Sequence, residues 1–217
     1  MGRSKDIATS AKGDADYVNV AGDTMTGSLT LNNDIIANKH LRLYTTDDQA
    51  NQWYVYNNTD DTLRFNYNGA GNDEVVLDTV GRMKIPNQPH FYANRAGLSN
   101  EYRNGNVNYN VVRDTASGWN SSNHQYTIPV TGVYHFGFNN IGHSGVDGSD
   151  QYHALQFVRG GTTTFIASAY NTNDAQHENT NIAITYYLQA NDLVQMRNYG
   201  GVVYSGFYNT FSIYLLG

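Results

Sequence analysis

The chain has 217 residues and a formal net charge of -6, from 13 Lys and Arg against 19 Asp and Glu. This acidic balance argues against a dedicated nucleic-acid binder, because such a protein needs a basic face for the phosphates. Cysteine is absent, which excludes disulfides and thiolate metal sites. The 18 Tyr and 8 Phe, with only 15% charged residues, favour strands and turns over helices. The composition predicts an all-β protein with one domain of ordinary size and a smaller unit.

The first 17 residues are polar, rich in small side chains and without a hydrophobic period. Such a segment is disordered or weakly helical by itself. It either becomes ordered by docking onto a partner or stays a flexible terminus, and composition does not separate these interpretations. It lacks the apolar core of a secretory signal peptide, and no apolar run approaches the roughly 20 residues of a membrane span.

A short glycine-bounded motif follows, Gly22-Asp23-Thr24-Met25-Thr26-Gly27-Ser28-Leu29-Thr30. Its two glycines permit turn conformations. Met25, Leu29 and Leu31 are apolar side chains that a single thin strand cannot bury alone. The motif resembles a short signature of the shafts of bacteriophage tail fibres. That resemblance implies a fibre in which three chains bury these side chains together.

Residues 32–85 alternate apolar and polar side chains in short segments separated by Asn, Asp and Gly. This period of two predicts half-buried strands. The alternating apolar residues are Leu41, Leu43, Trp53, Val55, Leu63, Phe65, Tyr67, Val75 and Leu77. The polar runs 57–61 and 68–72 predict loops between antiparallel neighbours. A unit of about 50 residues is marginal alone, which favours its completion by other copies. Pro86 and Pro89 then predict a linker.

The run 127–138 predicts the central strand of a C-terminal core. After a Pro and a Gly, Tyr134, Phe136 and Phe138 fall on one face at period two, with His135 pointing outward. Similar patterns predict strands near 133–141, 151–159, 163–169, 181–189, 192–198 and 209–216. In the strand near 181–189 one face carries Ile182, Ile184, Tyr186 and Leu188. In the strand near 209–216 one face carries Phe211, Ile213 and Leu215.

Three blocks of this part, 126–138, 190–201 and 210–216, resemble the characteristic blocks of C1q-like domains in order and spacing. The resemblance departs from the family at Ile213, and residues 99–123 show no match. It implies a ten-stranded jelly-roll sandwich that assembles as a homotrimer with both termini at its base. Tyr187 and Tyr214 lie opposite the apolar faces of their strands, and such rings suit a subunit interface better than open water.

If the C-terminal strands alternate in direction, their longer connections share the end opposite the C-terminus. These connections are predicted at 142–150, 170–178 and 199–208, with tight turns at 160–161 and 190–191. Long loops on a rigid scaffold are common recognition sites. The predicted receptor-binding residues are His143, Asp147, Asp150, Asn171, Asn173, Asp174, Gln176, His177, Tyr199, Tyr204 and Tyr208, which combine stacking surfaces with hydrogen-bonding groups. The alternative is that the tyrosines only cover the core and the Asn residues only lie in solvent-exposed turns.

The sequence predicts no cofactor and no catalysis. Asp147, Asp150, Asp174, His177 and Glu178 match no calcium-loop spacing. Because some C1q-like trimers hold calcium near their axis, calcium at the trimer apex is the alternative that the resemblance implies. The chain has no nucleophile elbow, phosphate-binding glycine loop or zinc-helix motif.

Together these features predict a phage virion protein, a short trimeric tail fibre. Residues 1–21 would anchor it to other tail or capsid proteins, 22–86 would form an intertwined β shaft, and 87–217 a C1q-like head. The head would bind a host-cell glycan or envelope protein at the particle surface, without nucleic acid or a membrane span. The alternative is a purely structural virion component, a capsid decoration, head fibre or tail connector, whose head only holds the trimer together.

Overall fold

The computed structural model describes residues 41–45, 48–67, 74–102, 104–143, 151–171 and 176–217, and every regular element there is a β-strand. The prediction of an all-β protein is confirmed for this part of the chain. The described residues contain no helix that is long and apolar enough to cross a membrane. The predicted anchor and the tail-fibre-like motif lie outside the described residues.

The first five strands of the described residues form one antiparallel sheet in sequence order, here called the shaft sheet. They are β1 (Leu41–Thr45), β2 (Asp48–Asn57), β3 (Leu63–Tyr67), β4 (Val75–Leu77) and β5 (Met83–Lys84). The strands predicted at the positions of β1 to β4 are confirmed, whereas β5 was not predicted. The predicted loop 57–61 is a turn in which Asn58 N–H donates to the Thr62 carbonyl over 2.9 Å. The predicted loop 68–72 lies outside the described residues.

The registers of the shaft sheet collect its apolar side chains on one face. Trp53 lies opposite Leu43 and Tyr67, and Phe65 lies opposite Val55 and Val75. Neighbouring strands in register present the same face at paired positions. Much of this face is open in the protomer, including Leu41, Leu43, Trp53, Leu63, Tyr67 and Met83.

The described residues between 87 and 217, here called the head, form thirteen strands. They are β6 (His90–Arg95), β7 (Glu101–Tyr102), β8 (Gly105–Asn106), β9 (Asn110–Asp114), β10 (Trp119–Asn120), β11 (Gln125–Thr127), β12 (Gly132–His143), β13 (Gln151–Arg159), β14 (Thr162–Asn171), β15 (Gln176–Leu188), β16 (Leu193–Gly200), β17 (Val202–Val203) and β18 (Gly206–Leu215).

Ten of these strands form two five-stranded antiparallel sheets. Sheet I has the order β9-β6-β18-β12-β15, and sheet II has the order β10-β11-β16-β13-β14. The short strands β7 and β17 extend sheet I, and β8 pairs with β16 in sheet II. The chain passes repeatedly between the two sheets, as in a jelly roll. The predicted ten-stranded jelly-roll sandwich is therefore confirmed.

The core lies between sheets I and II. Tyr134, Phe136 and Phe138 of β12 are buried in it, as their period predicted. Phe91 packs against Tyr126 with ring centroids 5.0 Å apart. Ile182 and Leu188, like Phe211 and Ile213, also face inward as predicted. His135 lies on the opposite face of β12, against Tyr214 with ring centroids 4.9 Å apart, which confirms its outward direction.

The strand registers define two ends of the head. At the base, Gly132 pairs with Leu188 and His90 pairs with Tyr214. The tight turns lie at this end, with φ of 55° and 81° at Gly160 and Gly161 and 72° at Asn191. At the other end, called the apical end, His143 pairs with Gln176, Gln151 with Asn171, and Tyr152 with Gly200.

The connections at the apical end are shorter than predicted. The strands β12, β14, β15, β16 and β18 extend into all three predicted loops. Candidate residues that lie on strands instead of loops are His143, Asn171, Gln176, His177, Tyr199 and Tyr208. The ends of these strands are polar and are held by backbone hydrogen bonds to the neighbouring strands. Such bonds do not require alternating apolar side chains, so the sequence pattern did not indicate them.

Candidate functional site

The apical end gathers part of the predicted receptor-binding set. His177, Tyr204 and Tyr208 belong to described segments at this end, and Asn171 ends β14 there. His143 and Gln176 pair as backbone partners. Asp147, Asp150, Asn173 and Asp174 lie outside the described residues, so their predicted roles remain predictions.

Two separate ring pairs occupy this end. His177, at a φ of 64°, lies against Tyr204 with ring centroids 5.5 Å apart. Phe207 and Tyr208 form an edge-to-face pair at 5.6 Å. Phe207 is 73% exposed, which makes it the most exposed large hydrophobic side chain among the described residues. Sequence reasoning missed Phe207, because it stands in a bulge of β18 where no alternation marks it.

A buried arginine holds the segments beneath these rings. Arg95 is fully buried and donates hydrogen bonds to the carbonyls of Tyr204, Asn108 and Ser99 over 2.6 to 3.0 Å. Its guanidinium also pairs with Glu101 at 3.1 Å. Because a buried guanidinium needs all its donors satisfied, this network fixes the backbone around Tyr204.

Tyr199 does not join the apical ring pairs. It lies on the outer face of sheet II, stacked on Tyr152 at 5.1 Å and on Phe165 at 6.1 Å, with interplanar angles of 28° and 19°. Tyr170 meets Tyr152 edge-on at 5.9 Å, and the Arg197 guanidinium lies 5.1 Å from the Tyr199 ring centroid. We call these five residues the aromatic patch. Its two most exposed rings are Tyr170, at 60%, and Phe165, at 53%.

A chain of side-chain amides supports the aromatic patch. Gln125 donates to Gln195 over 2.6 Å, Gln195 donates to Gln156 over 3.0 Å, and Gln156 donates to the Tyr199 hydroxyl oxygen over 2.6 Å. Gln156 and Gln195 are buried although they point away from the core. Because both of these buried amides use a donor and an acceptor, the chain fixes the position of Tyr199.

Only Tyr199 of the aromatic patch was predicted as a site residue. Tyr152, Phe165, Tyr170 and Arg197 come from three strands that are not all consecutive in sequence. One signal was available: Arg197 and Tyr199 stand two residues apart, which places both on one face of a strand.

Polar side chains also fill the interior below the apical end. Asn140, Gln151 and His153 are fully buried, and atoms of each lack a hydrogen-bond partner within the described part of the chain. His153 Nδ1 lies 3.1 Å from the Thr180 hydroxyl. Burial lowers the pKa of His153 to about 3, so the ring is neutral at pH 7.

The two predicted interface tyrosines lie on the outer face of sheet I. Tyr187 pairs with Val133 near the base and is 55% exposed, and Tyr214 pairs with His135 in the next row. Val133 and Leu216 add exposed apolar surface nearby. Between these side chains and the apical end the face carries small groups, Gly137, Ala183 and Ser212, in one register row.

The described residues contain no group of three or more His, Asp or Glu side chains that could hold a metal ion. The acidic candidates Asp147, Asp150 and Asp174 lie outside these residues, and nothing is described of the Glu178 side chain. Calcium at the trimer apex therefore remains a prediction.

No protein-family model and no curated protein matches the chain. Among solved structures, the globular domain of zebrafish complement 1qA protein is similar, with 16% identity over 60% of this chain and 98% of that one and a TM-score of 0.49. Eiger TNF from S. frugiperda shares 14% identity over 59% and 91% of the two chains, with a TM-score of 0.48. Murine APRIL at pH 5.0 shares 10% identity over 59% and 99%, also with a TM-score of 0.48. The similarity concerns the fold alone.

Proposed function

We propose that the chain is a short trimeric tail fibre of a bacteriophage, whose head presents an adsorption surface to the host cell. The observation that carries the proposal is the arrangement of strand ends in the head. Its first strand begins and its last strand ends at the base, whereas β12, β14 and β16 all end at the apical end. A stalk that enters at the base points the apical end outward.

The proposed trimer explains two exposed apolar faces. The outer face of sheet I combines Tyr187 and Tyr214 with Val133 and Leu216, and tyrosine is frequent in the centre of protein interfaces. The shaft sheet exposes a face of Leu, Trp and Tyr side chains. Apolar surface removed from water contributes roughly 25 cal/mol per Å², so contact between copies at both faces favours assembly strongly.

In this proposal the three heads of one fibre act together. Linking several weak binding sites on one stalk raises the effective concentration of each after the first has bound. Residues 1–21 attach the stalk to other proteins of the tail or capsid, and the head contacts a glycan or an envelope protein of the host. The head needs no catalytic step for this role.

A second candidate is a purely structural virion protein, a decoration or connector, in which the head only holds three chains together. The exposed faces of sheet I and of the shaft sheet favour it equally, because they serve assembly in either role. The two candidates differ in whether the head contacts cells.

The test uses the full chain. Light scattering should give three times the protomer mass, and a monomer over the whole concentration range would overturn the trimer. The labelled chain should then bind saturably to some strains of a bacterial panel. Substituting His177 and Tyr208 together by Ala should weaken that binding about tenfold, as loss of contact residues does.

Thr163→Ala is the matched control, because this exposed residue of β14 lies at the base of the same head. It should bind cells like the unmodified chain. A trimer that binds no strain of the panel would instead support the structural candidate.

A further inference from the structure

The aromatic patch has a chemistry of its own, apart from the apical ring pairs. We propose that it binds a polysaccharide whose sugars carry carboxylates. This inference rests on the proposed adsorption role and names the chemical class of the host receptor.

The rings of the patch offer flat apolar surfaces at the outer face of a rigid sheet. Tyr152, Tyr170 and Tyr199 come from adjacent strands, β13, β14 and β16, so the patch spans about 10 Å across them. That width accommodates a short run of sugar rings, whose C–H faces stack on aromatic side chains. A protein partner of ordinary affinity needs roughly 800 Å² on each side, far more than these few rings offer.

The polar groups beside the rings are donors. The Tyr199 oxygen accepts the hydrogen bond from Gln156, so its own O–H is directed to a further acceptor. The Arg197 guanidinium adds N–H groups and has no acceptor of its own. A ligand that satisfies both must supply oxygen lone pairs close to a stacked ring.

The charge of the patch selects an anion. Within the described part of the chain, the arginines that form ion pairs with carboxylates are Arg64, Arg82, Arg95 and Arg159. Arg197 is not among them: its Nη2 contacts the neutral Asn104 oxygen at 3.4 Å, and its buried Nε has no hydrogen-bond partner among the described residues. In a chain of net charge -6, an arginine without a carboxylate partner is a local site for an external one.

The geometry favours a carboxylate on the sugar ring over a phosphate that bridges two sugars. Arg197 lies 5.1 Å from the centre of the Tyr199 ring. A uronic acid places its stacking face and its carboxylate in the same residue, within this short distance. A bridging phosphate is joined to its sugar through an ester oxygen, so it lies farther from the ring stacked on Tyr199 than a carboxylate that is bonded directly to a ring carbon.

The test measures binding of the full chain to three carboxylated polymers, hyaluronan, polygalacturonate and polysialic acid, each beside its carboxyl-reduced form. We expect at least one acidic polymer to bind and its reduced form to bind at least tenfold more weakly. Arg197→Gln should lower the affinity about tenfold or more, and Tyr199→Phe should lower it less, because a charged hydrogen bond contributes more than a neutral one.

Arg82→Gln is the matched control, since it removes the same charge from an exposed side chain of the shaft sheet. Equal losses for Arg82→Gln and Arg197→Gln would reduce the effect to net charge and overturn the inference. Equal binding of acidic and reduced polymers, or binding of none of the three acids, would overturn it as well.

Cell adsorption separates this inference from the proposed function. If Arg197→Gln adsorbs to cells like the unmodified chain while the variant at His177 and Tyr208 does not, the adsorption role stands and the acidic-glycan site is wrong. If the unmodified chain binds neither cells nor polymers, both are wrong.

Discussion

The shaft sheet and the head are built from the same alternating sequence pattern, yet they bury it differently. In the head, sheet II covers the apolar face of sheet I, and Phe136 is fully buried. In the shaft sheet, the strands pair in register but Leu43, Trp53 and Met83 remain exposed. Alternation therefore specifies a strand and the face of that strand that must be buried, but not the element that buries it.

This difference has an energetic consequence. The head contains a core and an internal polar network, so most of its stability belongs to the single chain. A five-stranded sheet with one open apolar face gains much of its stability only when that face is covered, as it would be by other copies in the proposed trimer. We therefore expect the head to respond to substitutions of its own core, and the shaft sheet to respond to changes in assembly.

The largest expected effect is at Arg95 of the head. Arg95→Met leaves Glu101 and three backbone carbonyls without their buried partner, which should lower the free energy of unfolding by about 3–5 kcal/mol. Urea denaturation of the full chain measures this loss. Glu101→Gln, which keeps the three carbonyl contacts, should cost less, and an Arg95→Met variant of unchanged stability would contradict the role of the network.

A matched pair of substitutions examines the shaft sheet. Val75 pairs with Phe65 on the apolar face, whereas its neighbour Val76 pairs with Arg64 and Lys84 on the other face. Val75→Asp should weaken self-association at least tenfold, because it places a charge in the apolar contact, and Val76→Asp should change it little. Light scattering over a dilution series measures both, and equal effects of the two variants would show that the apolar face is not the contact.

The comparison also explains which parts of the fold could be predicted from the sequence. Strands with one apolar face, such as those around Phe136 and Ile213, were predicted because burial imposes a period of two. The start of β15 was predicted as a loop because its side chains are polar. It is a strand instead, because the backbone of Gln176 and Glu178 pairs with β12. Backbone hydrogen bonds leave no trace in side-chain type.

The candidate site was harder to predict than the fold. Tyr199 was selected as a residue of a loop, whereas it is a strand residue on sheet II. Its partners Tyr152 and Phe165 lie tens of residues away in sequence and meet it only through the order of the strands. A single sequence marks which side chains share a strand face, but not which strands become neighbours.

The next largest expected effect is that of acid, which should lower the free energy of unfolding of the head more than that of the shaft sheet. The pKa of the buried His153 is lowered from 6.5 to about 3, so between these values the unfolded chain binds a proton that the folded head does not. The free energy of unfolding should therefore fall below pH 6.5, by at most about 1.4 kcal/mol per pH unit. His153→Gln should lose this part of the pH dependence, as measured by urea denaturation at several pH values.

The shaft sheet should not follow that acid response. Residues 41–84 contain no His, and a hydrogen bond from Thr62, followed by one from Arg64, lowers the pKa of Asp60 to about 2. The Asp60 carboxylate therefore stays charged between pH 6.5 and 3, the range in which the buried His153 lowers the stability of the head. If His153→Gln retained the full pH dependence, the neutral buried histidine would not be its source.

The smallest expected effect compares one glycine of each region. Gly161 in the β13–β14 turn and Gly81 in the β4–β5 turn have φ of 81° and 83°, and no atom lies within 4 Å of a Cβ added at either. Alanine at each position should therefore cost only backbone strain, about 1 kcal/mol. Gly161→Ala should shift the unfolding of the head by that amount. Gly81→Ala should leave that transition unchanged if the shaft sheet unfolds separately, and should shift it equally if the two regions unfold as one cooperative unit, so the pair measures how far the difference between them extends.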